Sequence, residues 1–341
     1  MPLPPDARAR TGPHLPGSRP AHPPAGTAGS RPPRRSRRSL VVAVIAVALA
    51  LAATGAGLAL VHRSMPPSSN ASVPATRQAH LDPLGRDGYS FDDEFTGPAG
   101  ASPNYGLGKR YWFTDPCWHT GCGSPAAPTR YEAANAYLNG RGDLVLVARR
   151  GATGRCGDVA CAYTSARLTM VNWNAGGDPV SFSQRYGTFS ARIKLPAGAG
   201  LWPAFWLVGS DIGQVGWPAS GEIDALEVFT ASGRIQQHVE YGSAASVQRY
   251  GRSYPLPPGQ SPTGWHTYAV TWSPSGITWK VDGSPTLFLS AAQAGADWSQ
   301  FERPFSVILD LALGGIAGLP TGATHLPAKM LVDWVHISTH D

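Results

Sequence analysis

The chain has 341 residues, with 28 Lys and Arg against 22 Asp and Glu, for a formal net charge of +6. The excess is local: residues 1–38 hold eight Arg and one Asp, residues 39–79 add two Arg, and residues 80–341 carry 18 basic against 21 acidic side chains. The larger part is therefore slightly acidic, which excludes a basic nucleic-acid-binding surface, and 40 Gly with 32 Pro exclude a bundle of long helices.

Residues 1–39 are rich in Pro and Arg and have almost nothing apolar to pack, so they read as a disordered basic segment. Residues 40–61 follow as 22 uncharged, mostly apolar residues. A helix of that length, at about 1.5 Å per residue, spans a hydrocarbon core of roughly 30 Å. Arg34, Arg35, Arg37 and Arg38 precede it, and only His62 and Arg63 follow, so the N-terminus is expected in the cytoplasm and the remainder outside. The segment reads as an uncleaved single-pass membrane anchor. The alternative is a cleavable export signal, since Ser36-Arg37-Arg38-Ser39 resembles a twin-arginine leader and small residues near Ala59 or Ala75 suit a peptidase. Either reading puts the rest outside the cytoplasm. Residues 62–85 form a Pro/Ser-rich linker, and 86–341 are left as one domain.

Four cysteines follow, Cys117, Cys122, Cys156 and Cys161, each pair with four residues between. An even count beyond an export segment predicts two disulfides, most simply Cys117–Cys122 and Cys156–Cys161. Cross-pairing and a four-thiolate zinc site are the alternatives, although the spacing is wider than the common zinc pattern.

From residue 81 onward the pattern is short alternating strands. In Tyr186–Leu195, the side chains of Gly187, Phe189, Ala191, Ile193 and Leu195 share one face. Further strands are predicted at 143–149, 163–171, 201–208, 221–229, 236–241, 265–273, 276–282, 305–312 and 330–338, with one brief helical stretch near 290–300. So many strands with frequent turns over some 260 residues predict one all-β sandwich or barrel.

The chemistry concentrates in Glu222-Ile223-Asp224-Ala225-Leu226-Glu227. Residues two apart on a strand share a face, so Glu222 and Asp224 point together and Glu227 would point into the core. An unpaired buried carboxylate is costly, and a one-residue bulge between Asp224 and Glu227 avoids it by returning Glu227 to the face of Glu222. Two carboxylates converging there to about 5–5.5 Å make the pair of a retaining glycosidase, with Asp224 tuning them from between. The plain alternative is an acidic strand facing solvent. Its neighbours argue otherwise: Trp202 and Trp206 share a face just upstream and Trp217 comes just before the acids. Aromatic faces beside paired carboxylates suit a sugar-binding cleft, whereas core packing is their plain reading.

Gly200-Leu201-Trp202-Pro203-Ala204-Phe205-Trp206-Leu207 and Trp217-Pro218-Ala219-Ser220-Gly221-Glu222-Ile223-Asp224-Ala225-Leu226-Glu227 together resemble glycoside hydrolase family 16, in its laminarinase-like (endo-β-1,3-glucanase) branch. Asp92-Asp93-Glu94-Phe95, Trp272, Trp279-Lys280-Val281-Asp282-Gly283, Leu313-Gly314-Gly315 and Val332-Asp333-Trp334-Val335 extend the resemblance over roughly 90–338. It implies an all-β jelly-roll of two antiparallel sheets with a concave substrate cleft. It also implies a monomeric endo-acting hydrolase of a β-glucan with no required cofactor. By position, Glu222 would be the nucleophile, Glu227 the acid/base and Asp224 the helper, with Trp202, Trp206, Trp217 and His238 binding substrate. Some members hold a structural calcium near the terminal strands, for which Glu94 and Asp333 are the candidates. Three features depart from the pattern: Ala225-Leu226 replaces the usual Ile-Met, Asp310 stands where an Asn is typical, and residues 115–124 with their cysteines have no counterpart. The alternatives are a transglycosylase, a hydrolase of another β-glucan or galactan, and a non-catalytic glucan-binding or sensing protein, whose signature would be loss of one acid.

Overall fold

The computed structural model describes residues 89–115, 127–156, 159–172, 180–228 and 233–339. The apolar segment 40–61 and the pair Cys117 and Cys122 lie outside these residues; among the described residues no helix is long and apolar enough to cross a membrane.

Two sheets face each other. One is built around Gly187–Lys194, flanked by Trp265–Ser273 on one side and Ala328–Ser338 on the other. The second has seven strands, running Ser246–Tyr254, Ile235–Ser243, Glu222–Val228, Leu201–Gly209, Phe305–Leu313, Arg167–Thr169 and Phe113–Thr114 across the sheet. The pairings within it are antiparallel; in the first sheet the short strands Thr129–Tyr131 and Tyr163–Ser165 run parallel. This is the expected jelly-roll sandwich.

Alternation decides which sides meet. Gly187–Lys194 buries Gly187, Phe189, Ala191 and Ile193 and leaves Thr188, Ser190 and Arg192 only half-buried. Its inner face packs with Trp272, Trp279, Phe205, Leu226 and Leu309 into one apolar core. Burial of the larger of these side chains contributes roughly 1.5–3 kcal/mol each. The seven-stranded sheet uses both its faces: one closes the core, and the other carries the acids.

The expected strand 163–171 divides at Ala166, its first half, Tyr163–Ser165, joining the first sheet and its second, Arg167–Thr169, the seven-stranded one. The expected helical stretch near 290–300 is a four-residue helix, Ala291–Ala294, continued as the 3-10 helix Gly295–Glu302 and capped by Ser290, whose side chain accepts the backbone N–H of Gln293. The edge strand Ser246–Tyr254 was not foreseen, because its polar, mostly exposed residues give no inward–outward alternation. Cys156 and Cys161 form a disulfide, closing the ribbon of Arg155–Cys156 and Val159–Ala160.

Candidate active site

The bulge is where parity requires it. On one side of the acid strand, Trp206 opposes Asp224 and Phe205 opposes Leu226, so two steps there match one on the neighbour. On the other side the register shifts between Asp224 and Glu227. Ala225 and Leu226 both enter the core, and Glu222, Asp224 and Glu227 therefore emerge on the opposite face.

They enter a cavity of about 470 Å³ lined also by Trp202, Ala204, Trp206, Trp217, His238, Glu240, Arg249, Arg167 and Asp310. His238 opposes Asp224 across the sheet, and its Nε2 lies 3.1 Å from Asp224 Oδ2 and 3.2 Å from Glu227 Oε2. One oxygen each from Glu222 and Asp224 and a ring nitrogen of His238 all lie within 4.8 Å of one another. Two neighbours make room. Gly251 faces His238 so closely that a Cβ there would meet His238 Cβ at 2.3 Å, and Gly315, at φ +61°, would press a Cβ to 2.8 Å from the Trp202 ring.

The tryptophans do different work. Trp202 donates from Nε1 to Glu227 Oε1 at 2.7 Å, and Trp217, 45% exposed at the mouth, donates to Glu222 Oε2 at 3.0 Å. Trp206 lines the cavity floor, is 7% exposed and is fixed there by donating to Asp310 Oδ1 at 2.8 Å.

Crowded, buried carboxylates resist ionisation. Burial first, then Glu227 and Glu240, pushes Glu222 up to about 8. Burial pushes Glu227 up to about 7 against the opposing Trp202 hydrogen bond. Glu222 is only half-buried while Glu227 is 6% exposed, and water at Glu222 favours its charged form over that of Glu227. Burial, with Glu222 and Glu227 beside it, lifts Asp224 well above the carboxylate range, and among the described residues its Oδ2 has no hydrogen-bond partner. His238 is driven down to about 3, by burial and then by Arg249, whose Nη2 lies 2.9 Å from Nε2, so the imidazole is neutral. The two glutamates titrate as one system that holds a proton to share near neutral pH.

Asp310, Arg167 and Tyr131 join the site without having been foreseen in it. Arg167 is ion-paired with Asp115 at 3.2 Å and with Asp310 at 3.5 Å, and its guanidinium lies 5.0 Å from the Tyr131 ring and 5.4 Å from the Trp206 ring. A lone Arg in one apolar strand and a lone Asp in another were the available signal, because each demands a partner.

The calcium candidates lie at the other sheet with separate partners. Glu94 Oε1 is 2.7 Å from His336 Nε2, and Asp333 is ion-paired with Arg192. Calcium takes six to eight oxygens, so a site there would need donors beyond these two carboxylates.

The family model described as Glycosyl hydrolases family 16 matches residues 152–336. The Glucan endo-1,3-beta-glucosidase A1 of Niallia circulans is 35% identical over 166 residues, covering 46% of this chain and 24% of that protein. The Beta-glucanase of Rhodothermus marinus is 33% identical over 226 residues, covering 61% of this chain and 72% of that one. Among solved structures, the endo-beta-1,3-glucanase of Pyrococcus furiosus superposes with a TM-score of 0.60 at 33% identity, over 73% of this chain and 93% of that one. The chain thus spans about a quarter of the first relative and nearly three quarters of the second.

Proposed function

Because the chain belongs to glycosyl hydrolases family 16, we propose that it cleaves internal β-glycosidic bonds of a glucan, foremost β-1,3-glucan, with retention of configuration. The observation that carries this reading is the bulge, which sets Glu222, Asp224 and Glu227 on one cavity face with Trp202 and Trp217 donating to the two glutamates. Glu227 gives its proton to the glycosidic oxygen as Glu222 attacks the anomeric carbon, so the departing chain leaves as an alcohol and the sugar remains as an ester on Glu222. Glu227, now ionised, takes a proton from water, whose oxygen displaces Glu222 and restores both groups. Asp224, kept neutral by its neighbours, spares the pair a third negative charge. The presence of all three acids disfavours the non-catalytic reading. In the cell, residues 40–61 anchor the enzyme with the catalytic domain outside the cytoplasm.

The test is incubation of the chain with a panel of polysaccharides, followed by product sizing and proton NMR of the first-formed anomer. Glu222→Gln and Glu227→Gln should each abolish cleavage while the circular dichroism spectrum is unchanged. An inverted first product would overturn retention; cleavage of galactan alone would overturn the glucan assignment.

A further inference from the structure

Asp310 and Glu227 sit on the two strands that flank Leu201–Gly209, and both are paired with the same residue, Ala204. Their side chains rise on the same cavity face with only the Ala204 methyl between. Asp310 is 2% exposed. It is held from three sides: Trp206 Nε1 at 2.8 Å, Arg167 Nη2 at 3.5 Å and the Tyr131 hydroxyl at 3.4 Å. Arg167 also contacts Asp115, so two buried carboxylates share one guanidinium and the group retains net negative charge when both are ionised.

The geometry points to Asp310 as a positioning residue for the acid/base glutamate: an immobilised buried charge across Ala204 that acts on Glu227 and locks the Trp206 indole in the cleft floor. This rests on the hydrolase reading above. Glu227 already faces Glu222 and Asp224 on its own strand, His238 and Glu240 on the next, Arg249 on the edge strand and the Trp202 N–H on the other side. Among the described residues, Asp310 is the one acid that reaches it from beyond Leu201–Gly209. It adds to the repulsion that keeps Glu227 protonated, which is the state needed before attack. An Asn at this position would keep the acceptor for Trp206 and lose the charge, so Asp in this chain is a setting of proton affinity rather than of shape.

The size of the effect follows from the sheet. Two strand spacings put the charges roughly 10 Å apart, and at an effective dielectric near 20 a unit charge there moves a titration by about one pH unit. Arg167 offsets part of this, leaving roughly half a unit to one unit. Asp310→Asn should therefore move the alkaline limb of the kcat/KM–pH profile down by that amount, with kcat at the optimum changed less than threefold. Asp115→Asn removes the other carboxylate from the same arginine, two strands farther from Glu227, and should leave the limb in place while lowering Tm comparably. A purely structural role predicts equal losses of Tm and no shift in either variant. The same titration is read without substrate from the side-chain carboxyl carbon of Glu227 in 13C-labelled protein, identified by its absence in Glu227→Gln. That measurement stands even if no polysaccharide is cleaved. Coincident Glu227 titrations in wild type and Asp310→Asn would overturn the inference, as would an upward shift.

Discussion

Asp93 offers a test of the fold's electrostatics away from the cleft. It is 2% exposed and accepts Trp112 Nε1 at 2.8 Å and the Phe95 backbone N–H at 3.0 Å. Both donors favour the anion, but burial outweighs them and Asp92 and Glu94 add repulsion, so its pKa rises from 3.8 to about 7. A carboxyl whose folded pKa lies above its unfolded value binds more protons when folded. Its contribution is greatest at low pH and is lost as pH rises through the folded pKa. At 1.36 kcal/mol per unit, the difference between about pH 4.5 and about pH 8 comes to about 3 kcal/mol. Glu222 and Glu227 push the same way, so the wild-type slope is composite. Asp93→Asn isolates one contributor. Asn places an amide against one of the two N–H donors, a mismatch costing about 1–3 kcal/mol at any pH. Urea denaturation of both proteins at the two pH values gives a double difference in which that constant cost cancels. The expected outcome is a destabilisation by Asp93→Asn that is about 3 kcal/mol larger at the acid pH. A destabilisation equal at both, or larger at the alkaline pH, refutes the reasoning.

Three further outcomes are expected. Trp202→Phe keeps the ring against Gly315 but removes the donor to Glu227; a hydrogen bond to an anion contributes about 1.5–3 kcal/mol, so the alkaline limb of the rate profile should move up by about one to two pH units. A limb that stays or falls would show that this bond does not tune the acid. Thiol titration of exported, denatured, unreduced protein should find no reactive groups, and four would contradict both the observed Cys156–Cys161 bond and its expected partner Cys117–Cys122. Cell fractionation should find the full 35.9 kDa chain in membranes, released only by detergent; a soluble product whose N-terminus begins near residue 60 or 76 would replace the anchor by a cleaved signal.

The acid strand was legible because two rules collided there. Period-two alternation sent Glu227 inward, and the cost of a bare buried charge forbade it, which left a bulge as the remedy. The strands around it were legible for the same reason of parity, as in Gly187–Lys194. Trp206 does line the cavity, but a face assignment does not show what holds its ring, which is Asp310 at its Nε1 and Arg167 beside it. The Arg167–Asp310 pair was hidden for a topological reason. Phe305–Leu313 inserts between Leu201–Gly209 and Arg167–Thr169, so residues 143 positions apart become partners. No local period carries strand order. The edge strand Ser246–Tyr254 was lost because neither of its faces is apolar enough to show an alternation, although it supplies Arg249.

The bulge also makes this motif tolerant of one kind of change in length and intolerant of others. Ala225 and Leu226 both point into the core, so removing either leaves Glu222, Asp224 and the second glutamate on a plain alternating strand, still on one side. A deletion at Ile223 instead reverses the side for whatever follows. Chains differing by a single codon at that point would therefore display the same three acids, whereas a single-codon change one step earlier would bury a charge. A crystal structure of the Ala225 deletion, with both glutamates facing the cavity or one turned inward, decides the matter. Gaps in this strand are in that sense not neutral spacers: a gap of one residue keeps two acids together by alternation alone, and a gap of two does so only through a bulge.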